Sequence, residues 1–445
     1  MAAFPYFPHT EEDIAAMLEK AGVKKLDDLY SDVPAQFLHK GAYALPPAKS
    51  EQEIRAWFEI LDGMNARLKV FAGAGAYDHY TPAVIPYLTQ RSEFLTAYTP
   101  YQCEISQGTL RYIFEYQSMI CALTGLDVAN ASLYDGPTAA AEAMKMSLAC
   151  TRKKSRVLLS DSLLPQVRQV VATYAKFHGV TLGSIPVGEQ CGQTRLSILQ
   201  EELAKGDVAG VIVPQVNRFG ILEDHTGFAD AIHQAGALLI EYADPSALGV
   251  IKTPAEWGAD IAVGDGQPLG LPLSYGGPYV GFMAVKKDCM RKMPGRIVGQ
   301  TQDKEGRRAF VLTLQAREQH IKREKATSNI CSNESLMALW VTIYLSLMGP
   351  EGLRKVNDLS SAGAHYLHEE LLKTGRFQEV FPGRPFLKEF VLKPIGESAQ
   401  ALQERLLKKG FLAALPTEEG YVSFCVTEKR SRQETDALIQ AVKEG

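Results

Sequence analysis

Between residues 156 and 285 the chain alternates short, almost wholly apolar runs with segments of helical spacing. The runs are 156–160 (RVLLS), 180–187 (VTLGSIPV), 210–216 (GVIVPQV), 238–244 (LLIEYAD), 261–265 (IAVGD) and 279–285 (YVGFMAV). Segments 162–178, 195–205 and 224–236 separate several of them with helical periodicity. A strand that is apolar along its whole length must be covered on both faces. Strands separated by helices are joined most readily by crossovers. The pattern therefore predicts an α/β fold with a mainly parallel sheet between helical layers.

The flanks read differently. Residues 1–80 look helical and peripheral: Thr10 can cap a helix that opens with Glu11, Glu12 and Asp13, acids favoured at the positive end of the helix dipole. Residues 81–335 form the expected large α/β domain. Residues 336–445 read as a small α+β domain, with strands near 388–394 and 421–427 and amphipathic helices near 398–409 and 431–443. The most apolar run, 336–348 (LMALWVTIYLSLM), is shorter than the roughly 20 residues needed to cross a bilayer and predicts a buried core helix.

Composition removes several functions. With 47 basic and 51 acidic side chains the net charge is −4, so no electrostatic footprint for nucleic acid is expected. The first residues carry no basic stretch followed by an apolar one, so no secretory leader is expected. Seven cysteines, an odd number without a C-x-x-C pair, suit free thiols in a reducing cytoplasm. The nine histidines are scattered and predict no metal site. G-x-S-x-G, G-x-x-x-x-G-K-[ST] and H-E-x-x-H are all missing.

Five stretches carry candidate chemistry. In 134–143 (YDGPTAAAEA) a turn feeds an Ala-rich helix with Pro137 at its start. Free amides near Gly136 and the Thr138 hydroxyl could hold a phosphate, or the stretch is simply a well-capped helix. Asp244 ends an apolar strand, where α/β sheets place ligands. There an acid can pair with the pyridinium of pyridoxal phosphate (PLP), or merely cap the next turn. The loop 264–272 (GDGQPLGLP) stands where a PLP enzyme of this architecture would carry its Schiff-base lysine, yet no lysine lies between Lys252 and Lys286. In 98–108 (YTPYQCEISQG) tyrosines, a Glu and two Gln crowd one loop, as in site linings or as aromatic anchors of a surface loop. The mixed charges of 315–325 read as a solvated helical face or as a patch for an anion or partner.

Taken together, these phrases resemble the glycine cleavage system P-protein family, in the subunit 1 (alpha) form found where the enzyme is split into two chains. The resemblance is carried by 98–108, 114–117 (FEYQ), 123–127 (LTGLD), 131–143 (ASLYDGPTAAAEA), 243–245 (ADP), 275–278 (YGGP), 293–299 (MPGRIVG) and 316–331 (AREQHIKREKATSNIC). It implies the PLP-dependent transferase fold, fold type I, with the cofactor lysine lost near Gln267 and Pro268. Gly136, Thr138 and Asp244 would be relics of a cofactor cup. It further implies a beta subunit that holds PLP covalently, decarboxylation of glycine, and transfer of the aminomethyl group to the lipoyl group of H-protein, in concert with T- and L-proteins. Tyr98, Tyr101, Gln102, Glu104 and Ser106 would line the shared site; Cys331, a second candidate, is either a redox-sensitive thiol or an inert buried one. The alternatives are a scaffold that only stabilises its partner or docks the lipoyl carrier, and a self-sufficient enzyme using Lys252 or Lys286.

Overall fold

The structure, a computed structural model, describes residues 6, 8–39, 41–151 and 153–444. The chain divides into two compact units, residues 1–66 and 67–445. The first holds helices α1 (Glu11–Ala21) and α2 (Glu51–Gly63). Each is opened by a capping box: Thr10 with Asp13, and Ser50 with Glu53. The caps satisfy amides that a helix start leaves unpaired. Neither helix buries a side chain.

The second unit is built on a seven-stranded sheet: β1 (Val128–Ala129), β2 (Arg156–Ser160), β3 (Thr181–Ile185), β4 (Val208–Pro214), β5 (Leu238–Tyr242), β6 (Ile261–Asp265) and β7 (Gly281–Val285). The spatial order is β1-β7-β6-β5-β4-β2-β3. Strands β3, β2, β4, β5 and β6 run parallel, and β7 lies antiparallel between β6 and β1. Side-chain alternation sorts the apolar runs to two faces. Leu159, Ile212 and Ile240 pack under α4 (Gly136–Thr151) and α5 (Pro165–His178). Leu158, Val211 and Leu239 pack under α6 (Leu196–Leu203) and α7 (Phe228–Gln234). Both faces are thus covered, as continuous apolarity requires.

Helix α3 (Gln107–Thr124) shares a core with the first half of α8 (Ser335–Lys373) through Tyr116, Ile120, Ala338 and Val341. The 336–348 run is therefore core helix. Gly349 (φ 58°, ψ −176°) and Pro350 break α8. Its second half packs Ala364, Leu367 and Leu371 against the C-terminal sheet. Two strands not foreseen from sequence, β8 (Ile297–Gln302) and β9 (Arg308–Thr313), form an antiparallel hairpin. The small sheet contains β10 (Phe377–Glu379), β11 (Glu389–Pro394), β12 (Leu415–Pro416) and β13 (Val422–Cys425), in the order β10-β11-β13-β12. Helices α9 (Ala399–Lys408) and α10 (Arg432–Lys443) cover it. Lys69–Val70 pairs in parallel with Phe411–Leu412, tying the start of this unit to its end.

The charged stretch 315–325 is not one helix. It breaks into the turns Gln315–Arg317, Gln319–Lys322 and Arg323–Lys325, and Glu318 is buried. The solvated-face reading fails at Glu318, which is buried beside Arg296.

Candidate functional site

Parallel strands end on one edge, so the topology gathers residues far apart in sequence. Tyr242 ends β5, Asp244 lies two residues beyond it, and Asp265 ends β6. Against them stands Gly136, the first residue of α4. A Cβ there would lie 2.4 Å from the Tyr242 hydroxyl and 2.8 Å from the Asp265 nitrogen, so only glycine fits. The Gly136 N–H donates to Asp265 Oδ2 at 2.9 Å, and the Thr138 N–H donates to Asp135 Oδ1 at 2.7 Å. The amides at this helix start are already answered by two carboxylates. Burial pushes the Asp265 carboxyl up to about 7, against the pull of the Gly136 and Gln267 amides.

Asp244 is answered as well. Its Oδ2 lies 2.6 Å from Nζ of Lys388, and its Oδ1 accepts from the Ser246 amide at 3.0 Å and the Ser246 hydroxyl at 2.7 Å. The turn-capping role and a buried ion pair therefore coexist. Burial raises the Asp244 carboxyl, but the Lys388 charge and the hydrogen bonds outweigh it and leave it below the ordinary value. Lys388 also donates to Ser246 Oγ (2.7 Å) and to His79 Nε2 (3.1 Å), and sits 4.0 Å from the Tyr77 ring centre. His79 continues the chain through Nδ1 to Glu428 at 2.6 Å. Burial first, and the Lys388 charge second, hold His79 below its usual value, so it accepts from Lys388 and donates to Glu428.

Gln267 is wholly buried at the position expected for a lost lysine. Its Oε1 accepts from the Tyr77 amide (2.7 Å), and its Nε2 donates to the carbonyls of Tyr77 and Leu271 (both 2.8 Å). Pro268 follows it, also buried. Lys252 instead lies 4.1 Å from the Trp257 ring centre, and Lys286 pairs with Asp260 at 2.7 Å. Sequence reasoning missed Lys388. The available signal was a Lys-Glu pair opening an otherwise apolar strand, where both charges had to be buried.

A second polar feature is a cleft of about 520 Å3, lined by Tyr101, Arg296, Gln319, His320, Arg323 and Cys331, with Glu324 and Ile330 completing it. It unites Tyr101 and Cys331 with His320 and Arg323 of the charged stretch 315–325 and with Arg296 of the phrase 293–299, neither Arg296 nor His320 having been named as a site candidate. Arg296 is 3% exposed and donates to Ser332 Oγ at 3.0 Å and Thr99 Oγ1 at 3.3 Å. Its guanidinium carbon lies 5.4 Å from the Tyr101 ring centre. Of the other loop candidates, Tyr98 is 83% exposed, Gln102 and Glu104 are exposed, and Ser106 is half-buried just before α3. The loop is anchored by Gln107, whose side chain bonds the Phe310 carbonyl (2.8 Å) and amide (2.9 Å) on β9.

The sheet order, the antiparallel β7 and the placement of Gly136 and Asp244 at the carboxyl edge define the fold type I class of PLP-dependent enzymes. Solved structures at low identity share this fold: a NifS-like protein from Rickettsia africae (12% identical, TM-score 0.65, covering 85% of this chain and 99% of that one) and a sphingosine-1-phosphate lyase from Burkholderia pseudomallei (12%, TM-score 0.66, 93% of each). Within the class, the chain belongs to the glycine cleavage system P-protein family, whose model matches residues 5–442. It is 50% identical over 444 residues to the probable glycine dehydrogenase (decarboxylating) subunit 1 of Moorella thermoacetica, covering 98% of this chain and 99% of the relative. The corresponding Aquifex aeolicus protein is 46% identical over 98% of this chain and 99% of its own. The crystal structure of an inhibitor-bound glycine decarboxylase (P-protein) of the glycine cleavage system superposes with a TM-score of 0.91 at 43% identity, covering 99% of this chain and 100% of that one.

PLP does not fit the cup of this chain. The helix start that would receive a phosphate faces two carboxylates, Asp135 and Asp265. The acid that would face a pyridinium is taken by the Lys388 ammonium. Gln267 offers an amide where an amine is required.

Proposed function

We propose that this chain is the lysine-free half of a two-chain glycine decarboxylase, active only with a beta subunit that carries PLP on its own lysine. One observation carries the reading: a filled cofactor cup in a chain that matches P-protein subunits 1 along its length. PLP supplies an electron-accepting ring for the electrons left when CO2 departs. The product's aminomethyl group passes to the lipoyl group of H-protein, with T- and L-proteins completing the cycle. This chain's share is to complete the pocket from outside. The loop bearing Tyr98 and Tyr101 presents aromatic surface that would shield the reacting carbon from water once the partner covers it. Gln102, Glu104 and Ser106 orient polar groups, and Cys331 adds an exposed thiol that oxidation can reach. All seven cysteines are free thiols, which suits the cytoplasm as its compartment.

The test is glycine-dependent CO2 exchange with purified chains. We expect activity only from the mixture, and no borohydride-trapped PLP on this chain. Trapping on Lys388, Lys252 or Lys286 of the lone protein overturns the reading. Tyr98→Ala and Glu104→Gln, in complexes that assemble normally, should lower turnover at least about tenfold. Unchanged turnover would instead identify the chain as a scaffold.

A further inference from the structure

The cleft beside Tyr101 carries an imbalance of buried charge. Arg296 is 3% exposed, and the buried carboxylate near it, Glu318, stands 3.9 Å from its Nε, too long for a close forked pair. The same carboxylate has a second cationic neighbour. Arg317, next to it in the chain, gives one N–H to the Met293 carbonyl and leaves Nε and Nη2 buried without a partner. Two guanidinium groups therefore share one acid. Arg323 and Glu324 both stand exposed at the mouth, and His320 lies 3.7 Å from Glu318. Counting Arg296, Arg317 and Arg323 against Glu318 and Glu324 leaves one uncompensated positive charge around the cleft, whose own lining holds Arg296, Arg323 and Glu324. Buried charges are ordinarily closely paired, and among the described residues the buried Arg296 guanidinium has only Glu318, at 3.9 Å, as a carboxylate neighbour. Arg296 is also pre-oriented: Thr99 and Ser332 hold one amino group, and the Tyr101 ring packs over its face. A planar donor fixed in this way is built to recognise a flat oxyanion.

We propose that this cleft is a carboxylate-class oxyanion site, with Arg296 as its principal donor and Arg323 as its mouth. The oxyanion comes either from a free small ion or from a carboxylate side chain of the partner subunit. The second source rests on the two-chain reading, and the first does not.

Thermal unfolding of the full-length chain in sodium acetate or sodium phosphate, against sodium chloride at equal ionic strength, tests the free-ion source. A rise of roughly 2 °C or more that Arg296→Met and Arg323→Ala both abolish supports the site. If free ions do nothing, the same variants are mixed with the beta subunit. Assembly weakened at least about tenfold, with the loss diminishing at high salt, assigns the oxyanion to the partner. If neither ions nor substitutions have an effect, the proposal is overturned. Should Arg296→Met not fold, Arg323→Ala, exposed at the mouth, carries both comparisons alone. Should the two chains not associate at all, the two-chain reading fails and the free-ion comparison decides this one.

Discussion

Lys388 and Asp265 show how single residues fill the carboxyl edge of the sheet. Lys388 places its ammonium against Asp244, and Asp265 sets a carboxyl that burial favours in its neutral form against the Gly136 amide. Removing one partner of a buried ion pair leaves the other uncompensated, at a cost of about 3–5 kcal/mol. Lys388→Met should therefore destabilise the chain by about that amount in urea denaturation. Adding Asp244→Asn should recover much of the loss, whereas simple addition of the two effects would show that the pair is not coupled. Asp265 makes a pH prediction. Unfolded, its carboxyl titrates near 3.8, and folded, near 7. Between those values the folded chain keeps a proton that the unfolded chain has released, so the contribution of Asp265 to stability falls as pH rises. The stability of the wild type minus that of Asp265→Asn should drop by up to about 1.4 kcal/mol per pH unit from about pH 4 to 7, and stay flat above pH 8. A difference independent of pH would mean that Asp265 is not held protonated.

Elements were legible where one physical rule governed them. The strands β2 and β4 to β7 follow from runs that must be covered on both faces, whereas the edge strand β3 is mostly uncovered, and the strand ends differ from the sequence limits by a few residues. The hairpin β8–β9 escaped because it is polar toward its tip, and Gln300, Thr301 and Gln302 carry no apolar signal. The break in α8 falls at Gly349-Pro350, directly after the apolar run 336–348, but the helix beyond it was not foreseen from sequence. Gly349 sits at φ 58°, ψ −176°, a region open essentially to glycine, and a Cβ there would meet nothing within 4 Å. Gly349→Ala should therefore cost about 1–3 kcal/mol through backbone strain alone, read by chemical denaturation. A neutral effect would show that the second half of α8 can re-angle freely.

At the scale of the whole molecule the two units differ in kind. The larger one holds several cores, whereas in the first unit α1 and α2 bury nothing, and Trp57, Phe58, Ile60 and Met64 are exposed. Helices of 11 and 13 residues without a packed face are marginal in water, whatever their caps contribute. Hydrogen exchange on the lone chain should find the amides of Glu11–Ala21 and Glu51–Gly63 exchanged within minutes, while Val208–Pro214 and Leu238–Tyr242 stay protected for hours. Equal protection in both units would show that the first has a core of its own.

The sequence by itself determined the class: apolar runs separated by helices permit little other than a covered parallel sheet, and the absence of a lysine between Lys252 and Lys286 is a matter of counting. Its long phrases also carried the family. Only the tertiary structure decided what fills the cup and what lines the cleft. Lys388 reaches Asp244 across 144 positions, and Gln267 meets Tyr77 across 190. Such meetings depend on which strand ends share an edge, and local periodicity says nothing about partners that distant.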